Sequence, residues 1–194
     1  MIEIICACLG LLQGILACLN KRINWIVYAL QMVFLIIFSY HNNIWGDFAQ
    51  NILYFIICIY SFLVWSSKSK YSDISRLSTA GIIKYSIITV ITTLAGWYFL
   101  KMTNDPLPLV DSFTTVTTFV ALVLMAHHKL ECWIVWFIND IAYIYEYFML
   151  PDQATYLMLL YIAWTVLAVV SFIKWNCIYS RTKNKYKIYT KLYK

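Results

Sequence analysis

Seven long apolar stretches dominate the chain, at about Ile2–Leu19, Trp25–Tyr40, Phe48–Trp65, Ile82–Leu100, Ser112–Ala126, Cys132–Leu150 and Thr155–Trp175. A bilayer core takes about 20 mainly apolar residues per helix. Lipid admits only elements that satisfy their own backbone polar groups, helices or closed barrels. None of the stretches alternates with a period of two, so each predicts a helix. Together they occupy most of the 194 residues and leave short loops and a tail, with no room for a separate soluble domain. Only 12% of the residues are charged, about half the share in soluble domains, which excludes a water-soluble globule. The sixth stretch holds Asp140 and Glu146 and is expected inside the bundle.

The positions of the charges orient this scheme. Of fifteen Lys and Arg, all but Lys101 fall on one side: Lys21, Arg22, Lys68, Lys70, Arg76, Lys84, Lys129, Lys174 and the tail bases from Arg181 to Lys194. Such a bias marks the cytoplasmic side and predicts an outside N-terminus. The net charge of +6 therefore describes orientation. The tail, residues 176–194, interleaves bases with Tyr186, Tyr189 and Tyr193; it reads as an anchor beside anionic lipid in preference to a nucleic-acid patch. Met1-Ile2-Glu3 lacks a basic leader region and no small-residue cleavage site follows, so the first helix is expected to be retained. Gly10 and Gly14 have the small-xxx-small spacing of close helix packing. The six cysteines lack metal-ligand spacing and read as small apolar packing residues. His127 and His128 read as interfacial.

An internal repeat links the two halves. Trp25-Ile26-Val27-Tyr28 opens the second stretch and Trp133-Ile134-Val135-Trp136 the sixth, each four residues after a lysine, Lys21 or Lys129. Ser61-Phe62-Leu63-Val64-Trp65 ends the third stretch and Ser171-Phe172-Ile173-Lys174-Trp175 the seventh, while Asp47 and Ala49 are echoed by Asp152 and Ala154. The shared order implies duplication of a three-helix unit, 1–65 and 112–175, around a linker helix, 82–100, within one membrane domain, 1–175. A copy shifted by four spans keeps its orientation, so the repeats are parallel, and substrate is expected between them near the midplane.

On these residues the chain resembles the bacterial PnuC-type vitamin transporters. The likeness is carried by Gly46-Asp47, Asn51, Tyr54, Tyr60 and Trp65, by Pro108-Leu109-Val110-Asp111-Ser112-Phe113-Thr114-Thr115, and by a WxxWxxxN/D pattern met by Trp133, Trp136 and Asp140. The resemblance implies an all-α, seven-helix 3+1+3 fold like that of the SWEET sugar carriers, a homotrimer, and location in the bacterial inner membrane. It implies facilitated diffusion of a vitamin, nicotinamide riboside first, trapped by a cytosolic kinase. Relatives move thiamine, riboflavin or deoxynucleosides. The chain departs from the family at Ser61-Phe62, where Gly-Trp is frequent, and at Asp140, where many riboside carriers have Asn; the second departure keeps thiamine as the runner-up.

At about 100° per residue, Trp133, Trp136, Asp140, Tyr143 and Tyr147 fall within about 80° of one another. Aromatic faces attract organic cations, and a carboxylate at depth defaults to function. Both nicotinamide riboside and thiamine are cationic and aromatic. Asn139 points about 100° away from Asp140 and Glu146 lies on another face nearer the outer surface, in an access or interfacial position. In the first repeat Tyr28 matches Trp136 and Gln31 matches Asn139, but Met32 stands where Asp140 would, so the site is expected to be asymmetric. Asn51, and Thr115 with Thr118 on one face of the fifth helix, complete the candidate substrate contacts. No nucleophile elbow, phosphate-binding glycine loop or two-histidine metal motif is present; the chain is expected to be no enzyme and to need no cofactor or metal. A structural subunit of a membrane complex is the alternative from another class, and would need no polar cavity.

Overall fold

The computed structural model describes residues 2–41, 45–67, 74–103, 105–149 and 155–192. Lys68, Lys70, Leu150, Asp152, Ala154, Tyr193 and Lys194 lie outside them. The described residues form seven helices: α1 (Ile2–Cys18), α2 (Asn24–His41), α3 (Trp45–Ser67), α4 (Thr79–Leu100), α5 (Pro108–Ala126), α6 (Cys132–Met149) and α7 (Thr155–Leu192). Five are long and apolar enough to cross a membrane: α2, α3, α4, α5 and the Met158–Asn184 part of α7. The 17-residue α1 falls outside that set, as does α6, which carries Asn139, Asp140 and Glu146.

The helices follow from local sequence. Pro108 occupies the first turn of α5, where a missing N–H costs nothing, and Asp111 sits in the same turn, favourably placed against the helix dipole. Ser78 caps α4 by accepting a hydrogen bond from Gly81 N at 3.1 Å, as an N-cap serine should. The seventh element departs from expectation: the helix does not stop at Trp175 but continues through the basic tail to Leu192.

Six helices close a ring in the order α1, α2, α3, α5, α6, α7 and back to α1, while α4 packs on α5 alone. Fifty-six per cent of α5 is buried against 6% of α4, which makes α4 peripheral. The α4–α5 joint is tight: a Cβ on Gly96 would collide with Ser112 Oγ, whose hydroxyl donates to Thr93 O at 2.8 Å. Gly10 and Gly14 serve the α1–α7 seam, where added Cβ atoms would lie 2.9 Å from the Trp164 ring and 2.6 Å from Leu167.

The ring has two basic-end joints of the same design. Trp65 Nε1 on α3 donates to Ala126 O at the end of α5, at 3.0 Å; Trp175 Nε1 on α7 donates to Ala17 O at the end of α1, at 3.2 Å. Trp25 meets Trp65 edge-on at 5.7 Å, and Trp133 meets Trp175 edge-on at 5.4 Å. These four indoles are buried, so they knit the bundle and do not float at the lipid surface. His128 is not interfacial either. It is fully buried and stacks on Trp65 at 4.1 Å, with Trp175 6.0 Å from its ring and 6.4 Å from that of Trp65. The cysteines are all free; Cys6, Cys18, Cys58 and Cys132 are buried as expected, but Cys8 and Cys177 are exposed.

Candidate functional site

Inside the ring lies a cavity of about 480 Å³. It runs from exposed Asp47, at the end remote from the bases, down to a floor of Ala17, Met125 and Trp133. Nine of the ten candidate residues line it: Tyr28, Gln31, Asn51, Thr118, Trp133, Trp136, Asn139, Asp140 and Tyr143. Thr115 does not. Its hydroxyl turns toward the α3–α5 seam and donates to Gln50 Oε1 at 3.4 Å, so it supports a lining residue from behind.

Asp140 lies about 12 Å along α6 from its first residue, at 1.5 Å per residue, and is 3% exposed. Among the described residues it has no hydrogen-bond or ion-pair partner, although it lines the cavity. A buried carboxylate without a partner is expensive, so this position favours a cationic or hydrogen-bond-donating ligand. Beside it Tyr143, Tyr147 and Tyr161 form a cluster of near-parallel rings, with Tyr161 4.3 Å from Tyr143 and 5.5 Å from Tyr147, and those two 6.2 Å apart. Trp164 meets Tyr161 edge-on at 5.0 Å. Such flat, electron-rich faces suit an aromatic cation.

The amides have other work. Asn139 accepts from Thr117 Oγ1 at 2.7 Å and donates to Thr118 Oγ1 at 3.2 Å, which ties α6 to α5. Gln31 donates through Nε2 to Cys6 O at 3.0 Å, tying α2 to α1. Among the described residues Asn51 reaches only Ser39 Oγ, at 3.4 Å, so most of its bonding capacity is left for the cavity. Tyr54 accepts from Gln50 at 3.1 Å and donates to Thr115 O at 3.3 Å. These bonds fix the walls and leave Asp140, with Gln31 Oε1, Trp133 Nε1 and Glu146 Oε2, without a partner among the described residues.

The mouth is acidic. Asp47 on α3, Asp111 on α5 and Glu146 on α6 all line the cavity, and Asp105 lies close enough to Glu146 and Asp111 to repel both. Glu146 was expected on another face of α6, but it is half-buried and turned to the cavity. A rigid 100° step overstates the angle between helical side chains long enough to bend back. No Lys, Arg or His lines the cavity among the described residues.

Sequence reasoning missed Gln13, Gln50, Tyr161 and Trp164, and the repeat held the signal for the last two. Asn51 and Tyr161 are 110 residues apart, as are Tyr54 and Trp164, and all four line the cavity. At a spacing of 108, Tyr28, Gln31, Met32, Leu35, Phe38 and Ser39 pair with Trp136, Asn139, Asp140, Tyr143, Glu146 and Tyr147, and every member is a lining residue. The α2 wall is mostly apolar; the α6 wall carries the acids and the stacked rings.

Residues 1–177 match the family described as nicotinamide mononucleotide transporter. The chain belongs to that family. As a member it is a membrane transporter, which also answers the structural-subunit alternative. A crystal structure of the vitamin B3 transporter PnuC has the same fold, with a TM-score of 0.74 at 21% identity, over 91% of this chain and 81% of that one. No curated protein matches the chain by sequence.

Proposed function

We propose that the protein admits an unphosphorylated cationic vitamin, nicotinamide riboside in the first place, across the bacterial inner membrane. One observation carries this reading: four carboxylates and a tyrosine cluster line a cavity that holds no basic side chain among the described residues. A mononucleotide brings a phosphate into that field, and like charges near a poorly solvated wall repel. A pyridinium nucleoside brings the complementary charge and a flat ring. The solved PnuC structure, described as a vitamin B3 transporter, supports the same choice. Thiamine has the same two features and is the second reading, favoured by Asp140.

The two three-helix units act as parallel repeats around α4. The closed ring supports this arrangement, since exchanging α1, α2, α3 with α5, α6, α7 leaves its order of contacts unchanged. Alternating access then rocks one unit against the other about the midplane cavity. The basic end faces the cytoplasm, with the N-terminus outside. There a vitamin kinase adds the phosphate that bars return through an acidic channel, so downhill diffusion suffices. The protein works as a homotrimer in the bilayer, and takes no nucleic acid.

Purified protein in liposomes is expected to exchange labelled nicotinamide riboside and to ignore the mononucleotide. Transport of the mononucleotide at a comparable rate would overturn the electrostatic argument. Transport of thiamine without riboside would exchange the two readings.

A further inference from the structure

The two turns that close the basic end follow one backbone path in unequal surroundings. Asn20 and His128 both take left-handed φ, 54° and 52°. Lys21 N and Lys129 N return to Leu16 O and Leu124 O, each at 2.9 Å. In the α1–α2 turn, however, Lys21, Arg22 and Ile23 are exposed, whereas in the α5–α6 turn Leu130 is buried and Lys129 and Glu131 are half-buried.

The cover is the segment Ile74–Leu77 that precedes α4. Ser75 N donates to His128 O at 3.0 Å, and Leu130 N donates to Ser75 O at 2.9 Å, a short parallel bridge across the turn. Lys129 Nζ donates to Ser75 Oγ at 2.9 Å, and Leu77 N donates to Glu131 Oε2 at 3.0 Å. Ile74, 3% exposed, enters the core. Arg76 reaches α7 by donating to Asn176 Oδ1 at 2.8 Å, with its guanidinium 5.5 Å from the Tyr179 ring. Among the described residues no segment after α7 covers the first turn, because that helix runs on to Leu192.

We propose that Ile74–Leu77 is a clasp that holds the basic end of the cavity shut. It grips the α5–α6 turn on both sides of Lys129, through His128 O and Leu130 N, and the His128 imidazole at the gripped end packs against Trp65 and Trp175, which also touch each other, as one aromatic plug. That aromatic plug lies directly beyond the cavity floor at Trp133, which itself packs on Trp175. A two-sided backbone grip cannot slide; it is made or broken, which gives the gate two discrete states. The basic end opens only when the clasp releases the turn and the His128 ring leaves the plug. Ser75, Arg76 and Glu131 are therefore positioning residues for transport that touch no substrate. Duplication supplied two equivalent turns, and among the described residues only the second is gripped, so the gate at this end is one-sided.

This inference rests on the alternating-access reading, and the test separates the two. Residues paired in such a bridge lie about 5 Å apart, within disulfide range. The variant Ser75→Cys/Lys129→Cys, in a background with exposed Cys8 and Cys177 changed to Ser, is oxidised to lock the clasp and reduced to free it. Locking is expected to cut riboside counterflow at least tenfold and to slow alkylation of buried Cys132, read by peptide mass spectrometry, by a similar factor. Riboside binding from the acidic end stays within twofold, and reductant restores transport. Equal counterflow in the locked and reduced forms, with the cross-link shown by mass, overturns the clasp. If neither form moves riboside while locking still protects Cys132, the substrate reading fails and the clasp stands.

Discussion

Replacing Asp140 with Asn tests the centre of the site while keeping its shape. The carboxylate is buried, unpartnered among the described residues and beside a tyrosine cluster. At about 4–5 Å and an effective dielectric of about 20, a carboxylate and an organic cation attract by about 3–4 kcal/mol. Part of that attraction is offset by desolvation of both ions, and a net loss of about 1.4–2.8 kcal/mol is the expected result, or ten- to hundredfold in Kd. The assay is calorimetric titration of the purified variant with nicotinamide riboside and with its neutral dihydro form. The neutral ligand has the same hydroxyls and carboxamide but no ring charge, so its affinity should change less than threefold. Equal losses for the two ligands would make Asp140 a hydrogen-bond acceptor and refute the charge argument. No loss for either would remove it from the site. Thermal stability separates a folding defect, because Asn has no charge to desolvate and should leave the empty protein at least as stable.

The acidic mouth should act on rate more than on affinity. Asp111→Asn together with Glu146→Gln is expected to slow riboside association several-fold at low ionic strength, an effect that fades near 1 M salt as the screening length falls to about 3 Å; a salt-independent change would assign these acids to direct contact. The paired indole bonds should matter unequally: Trp65→Phe strands Ala126 O, 3.0 Å from the lost donor, and should cost about 1–3 kcal/mol, whereas after Trp175→Phe Ala17 O keeps its 2.9 Å bond from Asn20 N and the cost should be smaller. Detergent-solubilised melting curves that fall equally for the two would refute this difference.

Much of this protein was legible in its sequence because lipid leaves few options. Backbone groups must pair within a helix, so apolar runs fixed six of the helices to within four residues at each end. The basic tail was the exception: its helix continues past Trp175 because straight-chain Lys and Arg keep good helix propensity after the apolar run ends. The repeat was visible in four tryptophans, and periodicity alone brought Trp133, Trp136, Asp140 and Tyr143 to one face. Other properties depend on partners that no single helix contains. Thr115 shares a helix with Thr118 but meets Gln50 across a seam, and Asn139 spends its amide on two threonines of α5. Glu146 turns inward, and His128 is fully buried because Ile74–Leu77 and two tryptophans enclose it. Sequence period determined which residues point together from one helix. Only the closed ring decided which of them face a ligand and which face one another, because a polar side chain's role is set by the nearest group able to satisfy it, and that group lies on another helix.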